Sequence, residues 1–370
     1  MRIILAGGGT GGHLYPGLAI AQEFQSQKPE AQILFVITRR RIDQQIVSKE
    51  GWPYVHLPVE SFRGFSWRTL WALGCLVWSI GLAVRLVKSY HPRLIIGLGA
   101  YPSVPALVAG KLCGVTLMIQ EQNLFPGGAN KFLSRWAKRI FISFSETKQF
   151  FPKRSRGRMI LAGNPVRQGL YNDSDGLKPD LRSVFGLNDD KFTLLIFGGS
   201  KGAHRINEAV MEGLSGLTEE RAGRLQIIHQ TGEGDFKEVK NFYQQFAVKS
   251  VVLPYIHEMA DAYSAADLVI CRAGATTLAE ITVLGKASIL IPYPYAVRDH
   301  QMINAQILET VGAAELISDG ELAGDTLWSK IRRLMDHREG LLRMQQKAKK
   351  LGKPKAAHKI VRESLRLIEK

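Results

Sequence analysis

At 370 residues the chain exceeds the size at which one hydrophobic core usually stops growing, so two domains are expected. Its 45% hydrophobic and 22% charged residues are ordinary for a soluble globular chain, but 49 Lys and Arg against 33 Asp and Glu give a formal net charge of +16, which favours anionic partners: nucleic acid, phosphorylated substrates or an acidic membrane surface. Three cysteines, Cys75, Cys113 and Cys271, are odd in number and far apart, which excludes a disulfide framework and a C-x-x-C metal site and points to a reducing compartment.

The chain opens on an apolar strand, RIILA, with no charged segment, apolar stretch and cleavage site before it, so a cytoplasmic protein without a signal peptide is expected. The strand runs into GGGTGGHLYPG, Gly7 to Gly17. Gly7, Gly9 and Gly12 have the G-x-G-x-x-G spacing that turns a chain off a strand and brings backbone amides to a pyrophosphate at a helix N-terminus. The stretch also fits the start of G-x-x-x-x-G-K-[ST], but His13 and Leu14 stand where that motif contacts the outer phosphates and magnesium, so an ATPase is excluded. The next predicted strand, QILFVIT, ends in Arg39, Arg40 and Arg41 rather than the acidic residue that holds a ribose hydroxyl. Arginines suit a 2′-phosphate, which keeps an NADP-dependent oxidoreductase open at this point, as it does a glycine turn with no ligand at all.

Between Arg68 and Arg85 lie 16 uncharged residues, TLWALGCLVWSIGLAV. They fall short of the roughly 20 that a helix needs to span a bilayer. Trp67, Trp71 and Trp78, four and then seven positions apart, fall along one helical stripe, flanked by Arg63, Arg68, Arg85, Lys88 and Arg93. That pattern fits a helix lying in an anionic membrane interface, with Leu70, Trp71 and Trp78 as contact residues. A buried core helix fits it too, and the two readings can hold for different faces.

Further apolar runs, RLIIGLG, TLMIQE, RIFIS and RMILAG, alternate early on with helical patterns, which predicts parallel strands joined by helical crossovers. Residues 171–190 are polar, with glycine and proline, and read as a linker. Asp173-Ser174-Asp175 within it matches a D-x-D metal motif, but a solvated linker is the wrong place for one, and the nine histidines are scattered; no metal is expected. The scheme restarts with KFTLLIFGGSKGA, LQIIHQ, SVVLPY, DLVICR and ASILIPYP.

In this second half Gly198, Gly199, Ser200 and Gly202 lie between a strand and a helix, where amides and the Ser200 hydroxyl can hold a diphosphate. AGATTLAE, Ala273 to Glu280, opens another helix at a strand end, and Glu280 can accept hydrogen bonds from ribose hydroxyls. A third strand end supplies Asp299, His300, Gln301 and Asn304. Three strand ends thus offer diphosphate, ribose and polar contacts on one sheet edge.

GGGTGGHLYPGLAIA, GLGAYPSVP, EQNLFPGGANK, GNPVR, GGSKGA, GATTLAE and DHQMINA, in this order over nearly the whole chain, resemble the MurG family of N-acetylglucosaminyltransferases. The resemblance implies the GT-B fold, two Rossmann-like doubly wound domains facing across a cleft: residues 1–163 facing acceptor and membrane, residues 164–340 binding the UDP-sugar, and a helical segment, 341–370, packing back on the first domain. It implies inverting transfer, without metal or cofactor, of N-acetylglucosamine from UDP-N-acetylglucosamine to the 4-hydroxyl of undecaprenyl-diphospho-muramoyl-pentapeptide. The expected partners are those two substrates and an anionic membrane surface, with no nucleic acid, at the cytoplasmic face of the bacterial plasma membrane.

Carried over by position, the resemblance places Thr10, Gly11, Gly12, Asn123, Arg167, Ser200, Ile256, Ala275, Thr276, Thr277, Leu278, Ala279, Glu280 and Gln301 at the donor. Gly99, Ala100 and Tyr101 fall at the acceptor's diphosphate loop, where Ala100 replaces the family's usual glycine. His13, at the mouth of the first glycine loop, is the candidate base, with helix capping or a diphosphate contact as the alternative. A glycolipid transferase with another lipid acceptor and a non-enzymatic nucleotide-sugar-binding partner are the remaining alternatives.

Overall fold

The computed structural model describes residues 1–59, 67–167, 169–170, 181–199 and 202–369. Backbone proximity divides the chain into two units, residues 1–168 with 353–370, and residues 169–352.

The first unit contains β1 (Arg2–Ala6), α1 (Gly11–Gln27), β2 (Gln32–Ile37), α2 (Arg41–Lys49), β3 (Tyr54–His56), α3 (Trp67–Tyr90), β4 (Leu94–Gly97), α4 (Ser103–Leu112), β5 (Thr116–Glu121), α5 (Gly128–Leu133), β6 (Arg139–Ile142) and β7 (Met159–Leu161). Its seven strands pair in parallel in the order β3-β2-β1-β4-β5-β6-β7. Along β1 the pleat sends Ile3 and Leu5 to the α1 side, with Leu14, Leu18 and Phe24, while Ile4 and Ala6 face the α3 and α4 side, with Ala83, Val87 and Leu107. Helices cover both faces, which is why the strands read as continuous apolar runs rather than alternating ones. The strand order reverses between β1 and β4, so the loops after these two strands flank the switch point where open parallel sheets take ligands.

The second unit repeats the plan with β8 (Phe192–Phe197), α6 (His204–Leu214), α7 (Glu219–Gly223), β9 (Leu225–Gln230), α8 (Phe236–Tyr243), β10 (Lys249–Leu253), α9 (Met259–Ala265), β11 (Leu268–Cys271), α10 (Ala275–Leu284), β12 (Ala287–Leu290), α11 (His300–Thr310), β13 (Glu315–Leu316), α12 (Gly324–Asp336) and α13 (Arg338–Leu351). Its six strands run parallel in the order β10-β9-β8-β11-β12-β13, with the switch point between β8 and β11. Buried Trp328 on α12 packs where Gly213 leaves room, since a Cβ there would fall 1.7 Å from its ring.

The C-terminal segment 341–370 is not one piece. Leu341 and Met344 of α13 join the second unit's core. After Gly352 the last helix, α14 (Ala356–Ile368), belongs to the first unit, where Ile360, Val361 and Leu365 enter the core beside α1. Arg167, expected with the second domain, also lies in the first unit. Asp173 and Asp175 fall outside the described residues.

Candidate functional site

In the first unit the glycine loop after β1 is held from below. Gly9 donates its amide to Asp43 Oδ2 (2.7 Å), which also receives the Thr38 hydroxyl (2.5 Å), while Arg40 Nη1 donates to the Gly9 carbonyl (2.9 Å). Asp43 is fully buried, and Gly8 and Gly9 take positive φ of 150° and 87°. Thr10 then caps α1 with an extended backbone, and neither its side chain nor any acidic residue occupies the first turn. The amides of that turn, Gly11 and Gly12 among them, therefore carry the helix's positive end.

His13, in the same turn, is half-buried with Nδ1 3.0 Å from the Leu98 carbonyl and 3.1 Å from Gln122 Oε1. Both partners are oxygen acceptors, so Nδ1 carries the proton and Nε2 the lone pair. Gly99 sits against this ring: its φ is +92°, and a Cβ there would meet His13 at 3.2 Å and Asn130 at 3.3 Å. Ala100 adopts φ +58°, a left-handed conformation that suits the family's usual glycine, and its carbonyl accepts from Ser103 Oγ (2.8 Å) beside Tyr101. Asn123 is placed by Glu121, whose buried carboxylate accepts from Asn123 N (3.0 Å), Gly127 N (3.2 Å) and Asn130 Nδ2 (2.8 Å). Burial raises the Glu121 pKa against the pull of those donors. Arg167 lies over the Tyr15 ring, 4.3 Å from its centroid.

On α3 one face is buried, as a core helix requires, and another is exposed. Ala72, Ser79, Ala83 and Val87 are buried, whereas Trp71 (57% exposed), Val77 (70%) and Trp78 (65%) point outward with Arg85 and Lys88. The side chains of Trp67 and Leu70 lie outside the described residues, and among those described no helix is long and apolar enough to cross a membrane.

In the second unit Ser200 lies outside the described residues. The rest of its loop is tied by Gln230, which donates Nε2 to the Gly199 carbonyl (2.8 Å) and accepts from the buried Ile256 amide (2.9 Å). One side chain thus joins the loop after β8 to the segment carrying Ile256. α10 starts at Ala275 with Gly274 as its cap and no acidic first turn, so Ala275, Thr276 and Thr277 bring another set of first-turn amides to the carboxyl edge of the sheet. Leu278 is buried in the core below while Ala279 is half-buried. Glu280 is only 5% exposed and accepts from the buried Tyr263 hydroxyl (3.1 Å). Gln301, at the start of α11, accepts from Tyr293 N (2.9 Å) through Oε1, which turns its Nε2 to donate elsewhere. Arg298 and Asp299 just before it take φ of 56° and 53°, two adjacent left-handed residues in a loop that leads to a candidate ligand contact.

The structure thus groups the candidates by unit. Thr10 to His13, Gly99 to Tyr101, Asn123 and Arg167 belong to the first, and Ile256, Ala275 to Glu280 and Gln301 to the second. Sequence reasoning missed Asp43, Gln120, Glu121, Gln122 and Gln230. Only Glu121 and Gln122 carried a signal, as members of the EQN stretch.

Comparison with known proteins finds a family match in each half of the chain. Residues 3–142 match the glycosyltransferase family 28 N-terminal domain, and residues 193–360 match the family's C-terminal domain. A protein of Thermodesulfovibrio yellowstonii named UDP-N-acetylglucosamine--N-acetylmuramyl-(pentapeptide) pyrophosphoryl-undecaprenol N-acetylglucosamine transferase is 42% identical over 98% of this chain and 97% of its own length. A protein of the same name from Syntrophus aciditrophicus is 42% identical over 100% and 99%. The crystal structure of Acinetobacter baumannii MurG superposes with a TM-score of 0.74 at 29% identity, covering 98% of each chain.

Proposed function

The chain belongs to glycosyltransferase family 28 and, within it, to the UDP-N-acetylglucosamine--N-acetylmuramyl-(pentapeptide) pyrophosphoryl-undecaprenol N-acetylglucosamine transferases, and from this premise we infer both its reaction and the work of its residues. It is a UDP-N-acetylglucosamine-dependent glycosyltransferase of the GT-B fold that completes the lipid-linked disaccharide precursor of peptidoglycan. In our reading the second unit takes the donor. Glu280 accepts from the ribose, Gln301 Nε2 donates to the sugar, and the first-turn amides of α10 with the loop around Ser200 meet the diphosphate. Arg167, stacked on Tyr15 within the first unit, is a further donor-site residue by its match to the family.

The first unit takes the acceptor, with the amides at Thr10 to Gly12 and the Gly99–Tyr101 loop at its diphosphate. The 4-hydroxyl oxygen of the muramoyl sugar attacks C1 of N-acetylglucosamine opposite the UDP. The new C1–O4 bond forms as the bond from C1 to the UDP oxygen breaks, and UDP leaves with that electron pair; the configuration inverts to β. The hydroxyl proton passes to His13 Nε2. Trp71, Trp78 and the neighbouring cations of α3 seat the protein on anionic lipid at the cytoplasmic face, where the acceptor resides.

The observation that carries the catalytic part of this reading is His13 with its Nδ1 fixed by the Leu98 carbonyl at 3.0 Å. Single-turnover transfer at saturating substrates tests it. His13→Ala should lose about 10²–10⁴-fold in rate. A rate within about threefold of the parent, far less than general-base loss costs, would exclude His13 as the base.

A further inference from the structure

We propose that Gln122 is a positioning residue for the transfer: it heads a buried chain of amides, Gln122, Gln120 and Asn164, that together with the Leu98 carbonyl holds His13 in the tautomer with the proton on Nδ1. The proposal rests on the reading of His13 as the base and names what makes it one.

The chain runs in a single direction. His13 Nδ1 donates to Gln122 Oε1 (3.1 Å), Gln122 Nε2 donates to Gln120 Oε1, and Gln120 Nε2 donates to Asn164 Oδ1 (3.0 Å). Each amide is nearly sealed from water, with exposures of 1% for Gln122, 0% for Gln120 and 4% for Asn164. The Leu98 carbonyl sets the direction, because it can only accept and lies 2.7 Å from Gln122 Nε2. Turning the Gln122 amide over would place its oxygen against both that carbonyl and Gln120 Oε1, an arrangement of facing acceptors that a buried site penalises heavily. With Gln122 locked, its Oε1 faces His13, and a proton on Nδ1 is the state that satisfies it. The Gln120 carbonyl in turn accepts from Asn130 Nδ2 (3.2 Å), which ties the chain to the loop built on Glu121.

The catalytic consequence follows from the two ring nitrogens. A neutral imidazole protonated at Nδ1 presents its lone pair at Nε2, as a base requires. Once Nε2 takes the proton, the Nδ1–H of the imidazolium is shared between two oxygens, a contact that strengthens with charge. Of the charged groups on neighbouring elements, Asp43 of α2 accepts from Gly9 N, Glu121 of β5 from Asn123 N, and Arg40 donates to the Gly9 carbonyl. Gln122 links the ring to the buried polar chain and is itself only 1% exposed.

Two measurements test this. In the parent protein labelled with ¹⁵N-histidine, the ring shifts of His13 report the tautomer directly, with no variant to fold; the Nδ1–H form is expected, and the Nε2–H form would overturn the proposal. In single-turnover transfer, Gln122→Met should slow the reaction by about tenfold or more with both KM values within about twofold, and should cause no further loss in a His13→Ala background. Its acidic limb in the pH profile should move to lower pH, because the imidazolium loses an acceptor. An equal loss in both backgrounds, or an unchanged rate in the parent background, would mean that Gln122 does not act through His13. If His13→Ala keeps the parent rate, the base reading falls and takes this proposal with it, while the transfer activity stands.

Discussion

Replacing Glu280 separates a ligand contact from a structural one, because the buried carboxylate already has a structural partner. Tyr263 is fully buried and donates its hydroxyl to Glu280 Oε2 at 3.1 Å. Glu280→Gln keeps the size and an oxygen for Tyr263 but removes the charge. Hydrogen bonds to a charged group are worth about 1.5–3 kcal/mol against about 0.5–1.5 for neutral ones, so two ribose contacts should weaken by about 2 kcal/mol in all. That is about a 30-fold rise in donor Kd. Glu280→Ala should weaken the donor further and also remove the Tyr263 acceptor, at about 1–3 kcal/mol of stability, or about 2–4 °C in melting temperature per kcal/mol for a unit of this size. Calorimetric titration with UDP-N-acetylglucosamine and thermal unfolding read the two effects independently. Donor affinity within about twofold of the parent in Glu280→Gln, with Glu280→Ala losing stability alone, would refute the ribose contact and leave Glu280 as the partner of Tyr263.

Three more outcomes follow from other parts of the structure. Trp71→Ser and Trp78→Ser, at exposed positions, should leave stability within about 0.5 kcal/mol while weakening salt-sensitive binding to anionic vesicles; sedimentation that matches the parent would remove α3 from the membrane contact. Ala100→Gly should stabilise the first unit by roughly 0.5–1 kcal/mol, since relieving the left-handed strain at φ +58° outweighs the added entropy of the unfolded chain; a lower melting temperature would contradict this. Burial pushes the pKa of His229, fully enclosed in β9, down to about 3. The unfolded chain takes up that proton near pH 6.5, so between these values it binds one proton more than the folded state. Stability from this residue is therefore present above about pH 6.5 and is lost as pH falls towards 3, by up to about 1.4 kcal/mol per unit. His229→Gln should flatten this part of the acid limb in denaturant titrations, and an unchanged slope would show that His229 does not carry it.

The clearest strands are those buried on both faces, such as RIILA and LQIIHQ, whose apolar residues run together, while the edge strands β7 and β10 were legible through the short apolar runs MIL and VVL. β3 and β13 were not read, because three and two half-buried residues at sheet edges leave too little pattern. The return of α14 to the first unit was visible only as a helical segment; the break at Gly352 that parts it from α13 is a local signal, but which core each helix enters depends on packing. Glycine loops and the GATTLAE helix start announce themselves through residue type and spacing. The amide chain behind His13 does not, since His13 meets residues 85 and 109 positions away and glutamines have no periodicity to betray a shared site. Asp43 was equally silent: it looks like an ordinary acid in the first turn of α2, and only the fold brings it under Gly9.

The central claim is tested most directly by incubating the full chain in detergent with UDP-N-acetylglucosamine labelled in the sugar and a panel of lipids: undecaprenyl-diphospho-muramoyl-pentapeptide, undecaprenyl diphosphate and diacylglycerol. The account predicts that label moves to the muramoyl lipid alone, as a β-1,4-linked disaccharide, with one UDP released per sugar transferred. Transfer to diacylglycerol in preference, or donor bound with no label moved to any lipid, would contradict it.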